Sequence, residues 1–187
     1  MQRLSTAEPV SGQGPDAPAL RRALGCFVTG VTIVTTRGAD GRPHGFTANS
    51  FTSVSLDPPL VLVCVGHETE GLEAYRQCPR FAVNVLADSQ QAISNGFATE
   101  RPDRFAGVRW REGPHRVPIL EGCIATLECA VWQRIEVGDH MILVGRVLAC
   151  EDSTDRPLAF WRGRYRSLAL DRDGSVREDG RPIPPAP

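Results

Sequence analysis

The sequence predicts a mainly β fold with peripheral helices, a β-barrel in architecture, on three observations. Apolar and β-branched runs of strand length recur between turn signals. Most of these runs are joined closely enough to form hairpins, and the regular strand–helix alternation of a doubly wound sheet is missing. Six or seven strands with three short helices between them are expected. Closing them on themselves removes the exposed edges that such apolar strands otherwise offer to other chains.

The elements follow in chain order. Residues 1–16 are rich in Ser, Gly, Pro and Gln without periodicity and read as a poorly ordered tail, as do the charged and then Pro-rich residues 171–187, leaving a single domain at 17–170. Asp16 as N-cap, Pro18 in the first turn and the spacing of Leu20, Leu24 and Phe27 predict a short amphipathic helix that Gly30 can stop. Val31 to Thr36 is β-branched throughout, and the Asp40-Gly41 turn signal joins it as a hairpin to an extended segment from Gly45. Pro58-Pro59 punctuates the chain. Leu60 to Val65 is then a continuous apolar run, predicting a strand at the centre of a sheet and buried on both faces. A helix from about Thr69 to Gln77 is ended by Pro79, a strand runs from Phe81 to Leu86, and a helix from Ser89 to Ala98 follows Asp88 as N-cap. Gly122 to Val137 alternates, Gly138-Asp139 turns, and His140 to Cys150 runs back as its partner. Phe160 and Trp161 belong to a late strand.

Composition restricts the function classes. The chain of 187 residues is 41% hydrophobic and 23% charged with a net charge of −1, so nothing electrostatic favours a nucleic acid or an anionic membrane as partner. No apolar run reaches the roughly 20 residues a membrane helix needs, and a cytoplasmic protein is expected. The six cysteines form no CxxC pair and most lie in apolar runs, where a free thiol behaves as a small hydrophobe. His44, His67, His115 and His140 are scattered without metal-ligand spacing, and no metal site is expected. Gly12 to Ala17 fits the G-x-G-x-x-A dinucleotide string by letter, but no strand precedes it and Pro15 removes a donor, so it is rejected. No Walker loop and no G-x-S-x-G elbow is present. Chemistry has to come from something bound.

The segment Gly45 to Pro59 is where a ligand is expected. Read as extended, it places Thr47, Asn49, Ser53 and Ser55 on one face with Phe51, where a core strand would carry Val, Ile or Leu. Burying such groups unpaired costs roughly 1–3 kcal/mol each, so they face water, cap a turn, or contact a flat ligand rich in donors and acceptors. From the residues alone, a Ser/Thr-rich edge strand stays open. Gly138-Asp139-His140 likewise reads as a hairpin turn followed by a solvent-facing histidine, and Phe160-Trp161-Arg162-Gly163 as core packing with a surface arginine.

Several motifs in fixed order change the weighting. Thr29 to Thr36, Gly45 to Phe51, Ser53 to Leu60, Arg80 to Leu86, Asp103-Arg104-Phe105, Gly138-Asp139-His140 and Phe160 to Tyr165 together resemble the short-chain flavin reductase family, over about Leu20 to Leu168. The resemblance implies a homodimeric split β-barrel that reduces FAD or FMN with NADH or NADPH and passes reduced flavin to a partner flavin-dependent monooxygenase. It places Pro43, Gly45, Phe46, Thr47, Ala48, Asn49 and Ser50 at the flavin, with Cys64, Val65 and Gly66 along its ribityl chain and Gly71, Gly96 and Phe97 toward its phosphate. It also places His140 over the flavin face near the nicotinamide, as the candidate catalytic residue, and Phe160, Trp161, Arg162 and Gly163 against the nicotinamide cofactor. Small residues suit a flat ring, since Gly45 and Ala48 permit close approach while Thr47, Asn49 and Ser50 can meet its polar edge.

Two positions depart from the family pattern. Glu70-Gly71 and Asn95-Gly96 stand where relatives carry basic or hydroxyl residues, so two phosphate contacts are expected to be missing. Loss of one charge-assisted hydrogen bond, worth about 1.5–3 kcal/mol, weakens binding roughly tenfold to a hundredfold, which suits a flavin used as a substrate. His67 and the helix N-terminus near Thr69 are expected to replace part of that grip. NADH is expected over NADPH, because no basic cluster suited to a 2′-phosphate is visible, and weak phosphate anchoring leans the flavin choice to FAD. A split-barrel oxidase that keeps FMN permanently, and a non-catalytic flavin-binding module, are the alternatives.

Overall fold

The computed structural model describes residues 14–168. The expected tails therefore lie outside the described residues, except for residues 14–16. The first helix, α1 (Ala17–Leu24), is capped as expected, with Asp16 Oδ1 accepting from the Ala19 N–H at 2.7 Å. It ends with Gly25 as C-cap, not at Gly30: beyond it the N–H groups of Cys26 and Phe27 bond only three residues back, to the carbonyls of Ala23 and Leu24, and the α-helical ladder stops. Phe27, expected on its apolar face, is instead 75% exposed. Gly30 falls in a short strand, β1 (Thr29–Gly30).

β2 (Thr32–Arg37) and β3 (Pro43–Ala48) form the expected antiparallel hairpin, and Gly41 supplies the positive φ of +79° that its turn requires. The segment after Gly45 is not one strand. β3 stops at Ala48, Asn49 to Phe51 turn a corner, and the chain resumes as β4 (Thr52–Leu56). Ser50 fixes that corner onto β5 (Pro59–Gly66): its Oγ accepts the Cys64 N–H at 2.9 Å and donates to the Cys64 carbonyl at 3.4 Å. Thr47, Asn49, Phe51, Ser53 and Ser55 therefore do not share a face. β4 turns most of its small polar side chains to water, while Phe51 packs on the core.

β5 differs from expectation too. It lies beside the edge strand β4, and its burial alternates, with Val61, Val63 and Val65 buried and Leu60, Leu62 and Cys64 half-buried. α2 (Leu72–Gln77) begins later than Thr69, because Gly71 takes a left-handed conformation with φ +78°. Of the donors expected near Thr69, the N–H groups of Thr69 and Leu72 are bound to the carbonyls of Gly66 and Thr69. β6 (Arg80–Val85) is followed by a 3₁₀ turn (Asp88–Gln90) and α3 (Gln91–Ala98). Gln90, not Asp88, caps this turn, accepting the Ala87 N–H at 3.0 Å.

β7 (Trp110–Glu112) and β8 (Pro118–Leu120) form a small hairpin too short to show a period. β9 (Ala125–Val137) and β10 (His140–Asp152) are the long hairpin expected around Gly138-Asp139. β11 (Leu158–Trp161) and β12 (Arg164–Ser167) pair with each other, and β11 also pairs with β1.

The main sheet contains seven strands in the order β3-β2-β6-β9-β10-β5-β4. Its two edge strands, β3 and β4, are consecutive in the chain and joined by only three residues, so the sheet must curl until its edges come together. The enclosed core holds Val34, Phe46, Val61, Val63, Val65, Phe81, Met141 and Leu143. A second apolar cluster, including Ile33, Leu86, Phe97, Phe105 and Leu158, seats α3 against the sheet. Asn84, wholly buried on β6, donates to the Ile33 carbonyl and accepts the Leu120 N–H, tying β2, β6 and β8 together.

Candidate active site

A cleft of about 580 Å³ opens where the curled sheet brings β3 and α3 opposite the joined ends of β5 and β10. Register explains the meeting: His140, the first residue of β10, pairs with Gly66, the last of β5. The Gly138-Asp139 turn sets His140 at the rim, where its side chain stays 48% exposed. Its Nδ1 lies 2.7 Å from Asp139 Oδ1, and its ring passes over Gly66, with Nε2 only 3.5 Å from where a Cβ on that glycine would stand. The hydrogen bond from His140 holds the Asp139 carboxyl below its ordinary range. Nδ1 is thus engaged by a carboxylate, and Nε2 is left for a ligand.

The opposite wall comprises Phe46 and Thr47 from β3, and Phe97 and Ala98 from α3. Thr47 Oγ1 donates to the Ser94 carbonyl at 2.7 Å and so fixes α3 to β3. Gly45 does permit a close approach, but the approach is made by the Phe97 ring, 2.5 Å from where a Cβ would sit. His67 faces the turn from the β5 side, its Nε2 2.8 Å from Glu136 Oε2. That hydrogen bond, reinforced by the charge of Arg76, holds the Glu136 carboxyl below its ordinary range.

The structure thus brings Phe46, Thr47, Gly66, Phe97 and His140 together around one cleft. Pro43 and Gly45 line an adjoining cleft of about 620 Å³ with Arg42, His44, Arg101 and Trp110. Ala48 and Val65 turn their side chains into the core, so only their backbone can reach a ligand. Ser50 and Cys64 are bound to each other at the corner, where Asn49 is exposed. Gly71 packs under His44, and Gly96 lies against the Arg101 guanidinium, with Nη1 3.2 Å from the place of a Cβ. Phe160, Trp161, Arg162 and Gly163 are not among the residues of this cleft. They form the β11–β12 turn against the end of α1, with Trp161 Nε1 donating to the Cys26 carbonyl at 3.2 Å and Arg162 stacked on Trp161 at 4.8 Å.

Sequence reasoning gave no role to two arginines that matter here. Arg101 supplies a cation beside Gly96. Arg104 lines both clefts, its side chain only 12% exposed. The signal was the run Glu100-Arg101-Pro102-Asp103-Arg104, where Asp103 Oδ1 accepts the Phe105 N–H at 2.8 Å and turns Arg104 inward. Among the described residues no group of His, Cys, Asp and Glu could hold a metal ion, and no helix is long and apolar enough to cross a membrane.

A curled, mainly β sheet with a ring-sized cleft between aromatic walls and a carboxylate-held histidine defines a small-ligand-binding domain. The chain belongs to the flavin reductase like domain family, which it matches over residues 24–169. It is 46% identical over 150 residues to the stachydrine N-demethylase reductase subunit Stc3 of Rhizobium meliloti, covering 80% of this chain and 65% of that protein. It is 40% identical to the flavin-dependent monooxygenase reductase subunit HsaB of Rhodococcus jostii, covering 87% and 84% of the two chains. The solved NADH:FAD oxidoreductase SgcE6 of Streptomyces globisporus, in complex with NAD and FAD fragments, superposes with a TM-score of 0.79 at 42% identity, covering 84% of this chain and 96% of that one. Three curated relatives are longer, and the chain spans 48%, 65% and 47% of their lengths.

Proposed function

We propose that this chain is an NADH:flavin oxidoreductase that reduces free FAD or FMN and supplies the reduced flavin to a partner flavin-dependent monooxygenase. The observation that carries this reading is the placement of His140, held by Asp139, across a cleft from Phe97 and Thr47 in a chain of the flavin reductase like family. The cleft suits the ring: its volume is within the usual range for small ligands, and it combines apolar walls with polar groups at the rim.

The chemistry supplied by the two bound ring systems is direct transfer of a hydride from nicotinamide C4 to flavin N5, which moves two electrons and needs no protein base. The chain's task is to hold two planes in contact and keep water from between them. Phe46 and Phe97 supply apolar wall, and the bare Gly66 leaves room beneath the His140 ring. His140 Nε2 offers a polar contact at the rim while Asp139 prevents the ring from turning. Arg104 and Arg101 supply positive charge for a phosphate, in place of the basic residues that the chain lacks at positions 70 and 96.

Use of NADH and FAD is supported by the similarity to SgcE6, and a partner oxygenase by the similarity to reductase subunits. The reading extends to a split-barrel homodimer, supported by exposed apolar side chains on α1 and β4: Leu20, Leu24, Val54 and Leu56. A second subunit would also offer its own β11–β12 turn, and so a Phe160, Trp161 and Arg162, to a cofactor across the interface. Steady-state NADH oxidation with and without added FAD or FMN tests the activity. The reading requires turnover that depends on free flavin, and an absence of flavin-dependent turnover with either nicotinamide cofactor contradicts it.

A further inference from the structure

Arg104 and Glu70 form the partition between the two clefts, since both residues line each of them. The Arg104 guanidinium is held on two sides by backbone: Nε donates to the Thr99 carbonyl at 3.2 Å and Nη1 to the Gly45 carbonyl at 3.2 Å. Its third arm, Nη2, meets Glu70 Oε2 at 3.1 Å. The two partners differ sharply in exposure. The arginine side chain is 12% exposed, whereas that of Glu70 is 56% exposed and sits beside the left-handed Gly71. A buried, backbone-fixed guanidinium with one arm turned to a cleft is a prepared anion seat, and an exposed carboxylate is a weakly held occupant of it.

We propose that Arg104 receives the phosphate of the flavin substrate and that Glu70 competes with that phosphate for the same arm. The inference rests on the flavin reading above. The competition follows from charge. Two anions cannot both approach Nη2, so a phosphorylated flavin has to displace the Glu70 carboxylate, in a rim that already holds Glu68 and Glu100. Arg101, against Gly96, lines the adjoining cleft together with Glu70 and Arg104 and adds a second positive charge there. Glu70 then sets how tightly phosphorylated flavins are held without touching the ring. A reductase that must release its product gains from such a competitor, because each departing phosphate has a carboxylate ready to replace it.

The test compares FMN with riboflavin, which has the same ring and no phosphate, in the unmodified protein and in Glu70→Gln. The change removes the charge at an exposed position and leaves the shape. FMN is expected to bind roughly three- to tenfold more tightly to the variant by fluorescence quenching, while riboflavin changes by less than about twofold. Added inorganic phosphate is expected to compete with FMN more strongly in Glu70→Gln than in the unmodified protein, and not to compete with riboflavin in either. An equal shift for both flavins, or no shift for FMN, overturns the proposal. Failure of the unmodified protein to bind or reduce either flavin contradicts the flavin reading itself, and this inference with it.

Discussion

His140 Nδ1 lies 2.7 Å from Asp139 Oδ1, so two consecutive residues at one hairpin turn form an oriented pair whose free nitrogen, Nε2, sits over Gly66. An amide at position 139 would keep the size but present a donor or a weaker acceptor to Nδ1. Asp139→Asn is therefore expected to lower kcat with NADH roughly five- to tenfold while flavin affinity changes by less than about twofold. Steady-state kinetics together with flavin fluorescence quenching separate the two effects.

Because hydrogen bonding to His140 already holds the Asp139 carboxyl below its ordinary value of 3.8, this carboxylate stays charged through the neutral range. Glu136 behaves alike under His67 and Arg76, below its ordinary 4.5. In both cases the folded value is the lower one. The stability they contribute is fully present above the ordinary carboxylate range and is lost as pH falls through the lowered values. Thermal melts of Glu136→Gln and the unmodified protein are expected to differ near neutrality, to begin converging as pH falls below the ordinary 4.5, and to coincide only below the lowered folded value.

A methyl group on Gly45 would come within 2.5 Å of the Phe97 ring, which is buried and cannot swing away. Gly45→Ala should push α3 from β3 and strain the Thr47–Ser94 hydrogen bond that joins them. The expected cost is about 1–3 kcal/mol in chemical denaturation, accompanied by weaker flavin binding.

Burial pushes the Cys129 thiol up to about 12 and the Cys123 thiol up to about 11. Cys26 and Cys150 are exposed. Alkylation of the native protein at about pH 8, read by mass spectrometry, is expected to modify Cys26 and Cys150 while sparing Cys129 and Cys123. Neither exposed thiol lines the candidate cleft, but the Cys26 thiol accepts from Arg162 Nη2 of the β11–β12 turn at 3.8 Å, so loss of activity on alkylation is expected to track Cys26 and not Cys150.

Much of the sheet was legible because strand period, turn residues and β-branching all act locally. The hairpins at Asp40-Gly41 and Gly138-Asp139 are both where these signals place them. The corner at Asn49 to Phe51 was not legible. Its cause is a bond from Ser50 to a residue 14 positions away, and no local pattern distinguishes a polar strand from a strand, a corner and a second strand. β5 read as central because its run is continuously apolar, yet one face is only half-buried within this single chain. Phe46, Phe97 and His140 came to the candidate cleft through the family resemblance; by local pattern His140 reads only as a solvent-facing residue after a hairpin turn. Arg104 was hidden because its value as a cation depends on Thr99, Gly45 and Glu70 meeting around it, which only the folded chain decides.

The proposed activity is the reduction of free flavin by bound nicotinamide on this chain. Anaerobic mixing of the protein with NADH and an excess of FAD or FMN, followed by the loss of the flavin's visible absorbance, isolates this step. Bleaching of many flavin equivalents per protein chain is expected, at a rate that falls in Asp139→Asn. Bleaching of no more than one equivalent, or a rate equal to that without protein, would contradict it.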